Sequence, residues 1–292
     1  MGTAPADLLI APDWPAPANV RALATTRQLP GNSQPPFDAF NLGLRSGDDR
    51  AVVRSNRELL VRALDLPSPP CWLRQVHGIS VAVIPSPLPA SGHLPPRAGE
   101  GNASIPRHHS VAGTGWPADE RKFVNIPDPV PEPEADAAVT GESGVVLAIL
   151  TADCLPILFC AGDGSEVAAV HAGWRGLSSG VIEACLRRMR TPPASVLAWL
   201  GPAIGPQSYE VGDEVRDAFV RRDYNAAAAF EPTRPQHWRC DLYTLARLRL
   251  QAAGVTRVHG GGFDTFTDPR FYSYRRDGAR SGRFASLIWI AA

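Results

Sequence analysis

A cysteine and a histidine lie on two neighbouring apolar segments of this 292-residue chain. Cys154 follows Asp153, and together they interrupt an otherwise almost wholly apolar stretch over 145–159. His171 comes directly after a second apolar run, 167–170. A thiolate and an imidazole held close together can share a metal ion, or they can act as a nucleophile and its base. The pair therefore predicts chemistry at this point of the chain.

The segment between the two apolar runs predicts how close the pair lies. Asp163 and Gly164 stand in a turn signal, which favours a β-hairpin. If they are the central turn residues, His171 lies opposite Pro156 and diagonal to Cys154. Diagonal neighbours across an antiparallel pair have Cβ atoms no more than roughly 7–8 Å apart. This spacing is compatible with both the metal site and the nucleophile–base pair.

His77 is the candidate for a third ligand. It ends an apolar segment and precedes Gly78, which permits a sharp turn. One cysteine and two histidines make a plausible zinc set, and three protein ligands leave the fourth position open, as in catalytic rather than structural zinc sites. Spacing alone does not single out His77.

The elements that must position these residues alternate between strands and helices. Apolar runs with turn signals predict strands over 20–27, 72–76, 79–84, 196–200 and 284–290. Helical periodicity predicts helices over 50–64, 176–190, 213–221 and 242–253. Asp48 or Asp49 can cap the first helix, and Asp241 the last. This order indicates one α/β domain without a regular βαβ rhythm.

Between 85 and 133 the composition changes. Eleven of these 49 residues are proline, and glycine and serine are frequent. Such a segment cannot bury enough apolar surface to order itself, so we expect an irregular insertion in a single domain spanning 1–292.

Bulk composition excludes several classes of protein. The formal net charge is zero, which gives no electrostatic case for a nucleic-acid or membrane partner. No run of 18 apolar residues is present, so no membrane span is expected. Five irregularly spaced cysteines indicate reduced thiols in a cytoplasmic protein. Cys160 and Cys185 are expected to be packing residues.

Short motifs along most of the chain make it resemble the laccase-domain family, also described as polyphenol oxidases or purine nucleoside phosphorylases. The motifs occur in family order. They are TTR (25–27), NLGL (41–44), GDD (47–49), QVHG (75–78), ADA (135–137), TADCLP (151–156), HAGWRG (171–176), GPAIGP (201–206), YEVG (209–212) and SYRRDG (273–278).

The resemblance implies a single domain with layered mixed β-sheets flanked by helices. It also implies a zinc ion held by the residues that match His77, Cys154 and His171. The implied reaction is phosphorolysis of purine nucleosides, in which adenosine and phosphate give adenine and ribose 1-phosphate. Inosine, guanosine and methylthioadenosine are related substrates in the family, and adenosine deamination is a further implied activity.

The chain departs from the family pattern at a few positions. Gln207 and Ser208 stand where members often carry a cysteine pair, Phe263-Asp264 replaces a common Cys-Thr, and Arg45 replaces a frequent histidine. The three residues that match the zinc ligands are intact.

Phosphorolysis requires cations for phosphate, and Arg175 is the first candidate because it follows His171 by four residues. The residues expected to act in catalysis are Cys154, Arg175 and Asp153. The residues expected to bind substrate are Asn41, Arg45, Arg57 and Gln75. An arginine cluster near the C-terminus could also bind phosphate, or it could be a solvated face: Arg270, Arg275, Arg276, Arg280 and Arg283.

Three other functions compete with the phosphorylase. Cys154 and His171 could form a cysteine hydrolase. The family's older name suggests a copper polyphenol oxidase, although seven scattered histidines do not supply the paired motifs of multicopper enzymes. The last alternative is a binding module without enzymatic activity. The expected assembly is a monomer or a small homo-oligomer.

Overall fold

The computed structural model describes residues 8–85 and 131–291. The strands are β1 (Leu9–Ile10), β2 (Val20–Thr25), β3 (Val81–Val83), β4 (Ala137–Thr140), β5 (Leu147–Thr151), β6 (Leu155–Ala161), β7 (Val167–Ala172), β8 (Val196–Leu200), β9 (Glu210–Gly212), β10 (Phe230–Arg234), β11 (His237–Cys240), β12 (Arg257–Gly260) and β13 (Phe284–Ile290). The α-helices are α1 (Arg50–Ala63), α2 (Trp174–Ser179), α3 (Val181–Arg188), α4 (Asp213–Val220), α5 (Leu242–Ala252) and α6 (Tyr274–Asp277).

Three sheets organise these strands into a single α/β domain. A six-stranded mixed sheet has the order β12-β8-β6-β7-β4-β3, and its two outer pairs are parallel. A four-stranded antiparallel sheet has the order β1-β2-β13-β5. A small sheet, β10-β11-β9, is also antiparallel.

The two large sheets pack face to face, and helices cover their outer faces. Successive side chains of a strand point to opposite faces, and β6 shows the result. Ile157 and Phe159 join an apolar cluster with α3 and α5, whereas Leu158 and Cys160 join a second cluster with the four-stranded sheet. The far side of that sheet packs on α1. Strand β6 is buried along its whole length because both of its faces are covered.

The hairpin register is confirmed. Strands β6 and β7 pair antiparallel with Pro156 opposite His171. The predicted strands over 196–200 and 284–290 coincide with β8 and β13. The helix caps are also confirmed: the carboxylate of Asp49 accepts from the backbone of α1, and that of Asp241 accepts from the backbone of α5.

Three predicted elements are wrong in extent: the strands over 72–76 and 79–84 and the helix over 176–190. The apolar stretch over 145–159, which Asp153 and Cys154 interrupt, forms two strands of different sheets, β5 and β6. In the region predicted to hold two strands, 72–76 and 79–84, only Val81–Val83 forms a strand. Cys71 and Arg74 each make an isolated β-bridge. The helix over 176–190 is interrupted at Gly180, whose φ of +104° is left-handed, although its apolar stripe is buried as expected.

The predicted insertion over 85–133 lies outside the described residues except at its two ends. In the part of the chain that the structure describes, no helix is long and apolar enough to cross a membrane. All five cysteines are free, and Cys160 and Cys185 are fully buried in apolar clusters, as expected of packing residues.

Candidate metal centre

Three predicted ligands converge at one end of the paired sheets. The donor atoms of His77, Cys154 and His171 all lie within 4.8 Å of one another. Cys154 Sγ is 3.8 Å from His77 Nε2, and the two imidazole rings meet edge to face with centroids 4.8 Å apart. No other group of this kind occurs in residues 8–85 and 131–291.

Two unusual backbone conformations bring Cys154 and His77 to this point. Cys154 lies in the turn between β5 and β6, where Asp153 has a φ of +93°. His77 itself has a φ of +61°. Non-glycine residues adopt such angles only where surrounding contacts hold them, and such residues cluster at functional sites. His171, by contrast, lies within β7 and is 3% exposed.

Asp136, directly before β4, holds both histidines in place. Its Oδ1 lies 2.8 Å from His171 Nδ1 and accepts from the backbone N–H of His77. Its Oδ2 accepts from the backbone N–H groups of Val76 and Gly78. The carboxylate is fully buried. It therefore supports the left-handed turn at His77 and directs Nε2 of His171 towards the sulfur.

Asp136 was not among the predicted site residues. Its signal in the sequence is a lone aspartate in the apolar segment 135–139. A buried carboxylate of this kind requires hydrogen-bond donors around it.

The three donors fit a tetrahedral metal ion such as zinc. Ligands that share zinc at about 2.0–2.3 Å lie roughly 3–4 Å apart, which agrees with the sulfur–nitrogen distance here. A histidine ligand usually donates its other ring N–H to a carboxylate, as His171 does to Asp136. A Cβ added at Gly173 would approach His77 Cδ2 to 2.9 Å and Cys154 Sγ to 3.0 Å. Only glycine leaves this space for the ligands.

Cys154 and His171 shift each other's protonation. Burial raises the pKa of the Cys154 thiol, but the charge and hydrogen bonds of His171 and His77 outweigh burial and lower that pKa to about 6. Burial lowers the pKa of His171, but the Cys154 thiolate and Asp136 raise it to about 9. At neutral pH the pair is therefore a thiolate and an imidazolium.

A cavity of about 600 Å³ opens beside the three ligands. Its volume is in the range of small-molecule sites. Three of its arginines lie over aromatic rings that also line it. Their guanidinium carbons are 4.6 Å (Arg175 on Trp174), 5.1 Å (Arg275 on Tyr209) and 5.9 Å (Arg283 on Tyr274) from the ring centroids. None of the three forms an ion pair with a carboxylate within the described ranges.

Two predicted site residues reach the cavity wall but have their polar atoms engaged elsewhere. Asp153 accepts from Thr265 Oγ1 at 2.7 Å and from the Arg275 backbone N–H at 2.6 Å. The amide of Gln75 pairs with both backbone groups of Leu150. These side chains hold neighbouring segments of the wall together.

Asn41 and Arg57 do not line the cavity, whereas Arg45 does. Asn41 is fully buried, and its Oδ1 accepts from the backbone N–H groups of Gly43 and Arg283. Arg57 and Arg45 both pair with Glu132, at 2.9 Å and 2.6 Å. Arg57 also lies over the ring of Trp72.

The C-terminal arginine cluster divides into different roles. Arg275 and Arg283 line the cavity. Arg270 pairs with Asp268, and Arg276 pairs with Asp277. Arg280 is exposed and lies outside the cavity wall. Arg275 and Arg283 therefore stay candidates for phosphate binding, whereas the other three arginines lie in ion pairs or at the exposed surface.

The chain is similar to known proteins over almost its whole length. The family model described as multi-copper polyphenol oxidoreductase laccase matches residues 21–291. The purine nucleoside phosphorylase of Xylella fastidiosa (strain Temecula1) is 50% identical, over 99% of each chain. Purine nucleoside phosphorylase YfiH of Escherichia coli (strain K12) is 42% identical, over 97% of this chain and 98% of that protein.

Solved structures share the fold. The crystal structure of a Neisseria meningitidis protein has a TM-score of 0.77 and 40% identity, covering 98% of this chain and all of that chain. YlmD from Geobacillus stearothermophilus has a TM-score of 0.71 and 29% identity, covering 94% and 93% of the two chains.

Proposed function

The chain belongs to the family of multi-copper polyphenol oxidoreductase laccases, and on that premise we propose that it is a zinc-dependent purine nucleoside phosphorylase. Its relatives that carry the name purine nucleoside phosphorylase support an enzyme of this type. The proposed substrates are phosphate and adenosine, with inosine, guanosine and methylthioadenosine as related nucleosides.

The observation that carries the proposal is the combination of two features in one cavity. Three possible metal ligands lie beside three guanidinium groups that have no carboxylate partner in the described parts of the chain. Guanidinium groups bind phosphate through paired, charge-assisted hydrogen bonds. A cysteine hydrolase would need the thiolate and imidazole, but it would not need this excess of positive charge.

Phosphorolysis requires phosphate and the nucleoside to meet in a fixed geometry. A phosphate oxygen forms a bond to C1′ of the ribose while the bond from C1′ to the purine nitrogen breaks. The electron pair of that bond stays with the purine, which takes up a proton. Arg175, Arg275 and Arg283 hold the phosphate, and fixing two reactants together lowers the entropic part of the barrier. When bound, zinc supplies a Lewis acid that polarises an oxygen or activates water.

Aromatic side chains in the same wall suit the other substrate. Trp174, Tyr209 and Tyr274 line the cavity, and ring faces of this kind stack on nucleobases with little dependence on which base is bound. The cavity therefore offers cations to phosphate and aromatic surface to a purine.

The decisive experiment measures metal content and the products formed from adenosine, with and without phosphate. We expect about one zinc per chain and release of adenine and ribose 1-phosphate only when phosphate is present. Cys154→Ala should lose both metal and activity. Cys160→Ala is the matched control, because Cys160 is a buried packing residue on the adjoining strand. If the wild-type protein never forms adenine and ribose 1-phosphate, the phosphorylase proposal fails.

The same assay tests the competing activities. Inosine produced from adenosine would indicate deamination. A lowered pKa of about 6 favours Cys154 as a nucleophile, and a chelator-treated protein that stays fully active would support the cysteine hydrolase over the zinc enzyme. Within the described residues, one group of three ligands suits a single ion rather than a multicopper centre.

A further inference from the structure

We propose that Arg283 is the principal phosphate-binding residue of the cavity and that the segment 41–43 exists to hold it there. This inference rests on the proposed phosphorylase function and deepens it. From the sequence, Arg283 was one of five clustered arginines, and Asn41 of the NLGL motif was a candidate for substrate contact. The sequence indicated no link between the two.

The backbone of Arg283 is fixed from the opposite end of the chain. Its N–H donates to Asn41 Oδ1 at 2.9 Å, and its carbonyl accepts from the N–H of Leu42 at 3.0 Å. The same Asn41 oxygen accepts from the Gly43 N–H at 3.0 Å. Asn41 is fully buried. The side chain that was expected to contact substrate therefore positions the residue that does.

Gly43 makes room for the arginine side chain. A Cβ built at this position would lie 2.7 Å from Arg283 Cγ and 3.1 Å from its Cβ. Contacts shorter than about 3 Å force atoms to move, so any other residue at this position would displace the stem of Arg283. The motif thus supplies both a backbone clamp and a close-packed slot.

The guanidinium group is anchored on one side and available on the other. Nη1 donates to the carbonyl oxygens of Ser281 and Gly282, at 2.7 Å and 2.8 Å. No carboxylate pairs with Arg283 in residues 8–85 or 131–291, whereas Arg270 and Arg276 of the same cluster each have one. The N–H groups that remain are donors in the cavity wall.

Arg283 is better placed for an anion than the other cavity arginines. Arg175 and Arg275 are exposed, whereas Arg283 is partly buried. Arg283 lines the same cavity as His77, Cys154 and His171. Burial lowers the pKa of Arg283, and the negative charges of Cys154 and Asp153 act against that effect. A charge–charge hydrogen bond is stronger where water is excluded. A phosphate bound there shares the cavity with the ligand cluster.

The test compares Arg283→Gln with Arg280→Gln, a matched control three residues away that is exposed and outside the cavity. We expect Arg283→Gln to raise the KM for phosphate roughly ten- to a hundred-fold, because it removes charge-assisted bonds. The KM for adenosine and the zinc content should stay within about two-fold of wild type. Titration calorimetry with inorganic phosphate should show the same loss of affinity without turnover.

Two further variants keep the inference falsifiable if Arg283→Gln does not fold. Arg283→Lys keeps the charge but loses the paired donors, so it should bind phosphate with intermediate affinity. Gly43→Ala alters no charged group and should weaken phosphate binding by displacing Arg283. The inference is overturned if these variants bind phosphate as tightly as the wild type, or if the wild type binds none. A wild type that binds phosphate but yields no ribose 1-phosphate overturns only the proposed reaction.

Discussion

Replacing Asp136 by asparagine should lower both the free energy of unfolding and the affinity for zinc. The hydrogen bonds of the carboxylate give the expected size of each effect. The carboxylate accepts from His171 Nδ1 and from three backbone N–H groups, at 2.7–3.2 Å. An asparagine amide keeps one acceptor oxygen and presents an NH₂ group in place of the other. If the NH₂ group takes the place of Oδ2, the backbone N–H groups of Val76 and Gly78 both lose their acceptor. If the NH₂ group takes the place of Oδ1, the N–H of His77 is the one backbone donor that loses its acceptor.

The second orientation costs less and sets the expected magnitude. One buried donor without a partner costs about 1–3 kcal/mol, and loss of the negative charge weakens the remaining bonds by about 1 kcal/mol more. The free energy of unfolding should therefore fall by about 2–4 kcal/mol. In this orientation Nδ1 of His171 has to accept from the new NH₂ group, so the imidazolium gives up its Nδ1 proton. The proton that remains on the ring is on Nε2, the atom that faces Cys154.

That change of tautomer blocks a metal ligand, so Asp136→Asn should weaken zinc affinity about 10–100-fold. Competition with a chelator measures the affinity, and chemical denaturation measures the stability. Glu166→Gln is the matched control. Glu166 is also a buried carboxylate, 3% exposed, and accepts backbone hydrogen bonds from Arg190 and Thr191 at the far end of the β6–β7 hairpin. It should lose stability and keep zinc affinity. Equal zinc affinity in all three proteins would refute the orienting role of Asp136.

Three other outcomes follow from the structure. The metal-free pair is a Cys154 thiolate and a His171 imidazolium, with pKa values of about 6 and 9. Between these pH values, zinc binding should therefore release about one proton, and zinc affinity should rise with pH. Calorimetry in buffers of different ionisation enthalpy measures the number of protons released, and a value of zero would contradict the prediction. Asp153→Asn should lower the free energy of unfolding by about 1–3 kcal/mol, since it disturbs the bond to the Arg275 backbone N–H; an unchanged denaturation midpoint would show that the bond contributes nothing. Phe159→Ala should cost about 3–5 kcal/mol by leaving a cavity in the fully buried strand β6, and a loss below about 1 kcal/mol would indicate that the core closes around it.

Features that depend on neighbours along the chain were predictable from the sequence. The turn at Asp163 and Gly164 sets the register of β6 and β7, so the position of His171 opposite Pro156 followed from counting residues. Helix capping by Asp241 is equally local, since a carboxylate reaches only the next few N–H groups. The sequence showed the interruption of 145–159 at Asp153 and Cys154, but not that its two halves join different sheets. A buried apolar strand has the same pattern whichever sheet it belongs to.

Sequence motifs, read through the family resemblance, determined which side chains could meet as ligands: His77, Cys154 and His171. Only the tertiary structure decided what holds them and what faces them. Asp136 reaches His77 and His171 because β4 pairs with β7, and Arg283 reaches Asn41 across 242 positions of sequence. The reason is physical: turns, caps and pleats act between residues a few positions apart, whereas these contacts depend on which faces the sheets bury together.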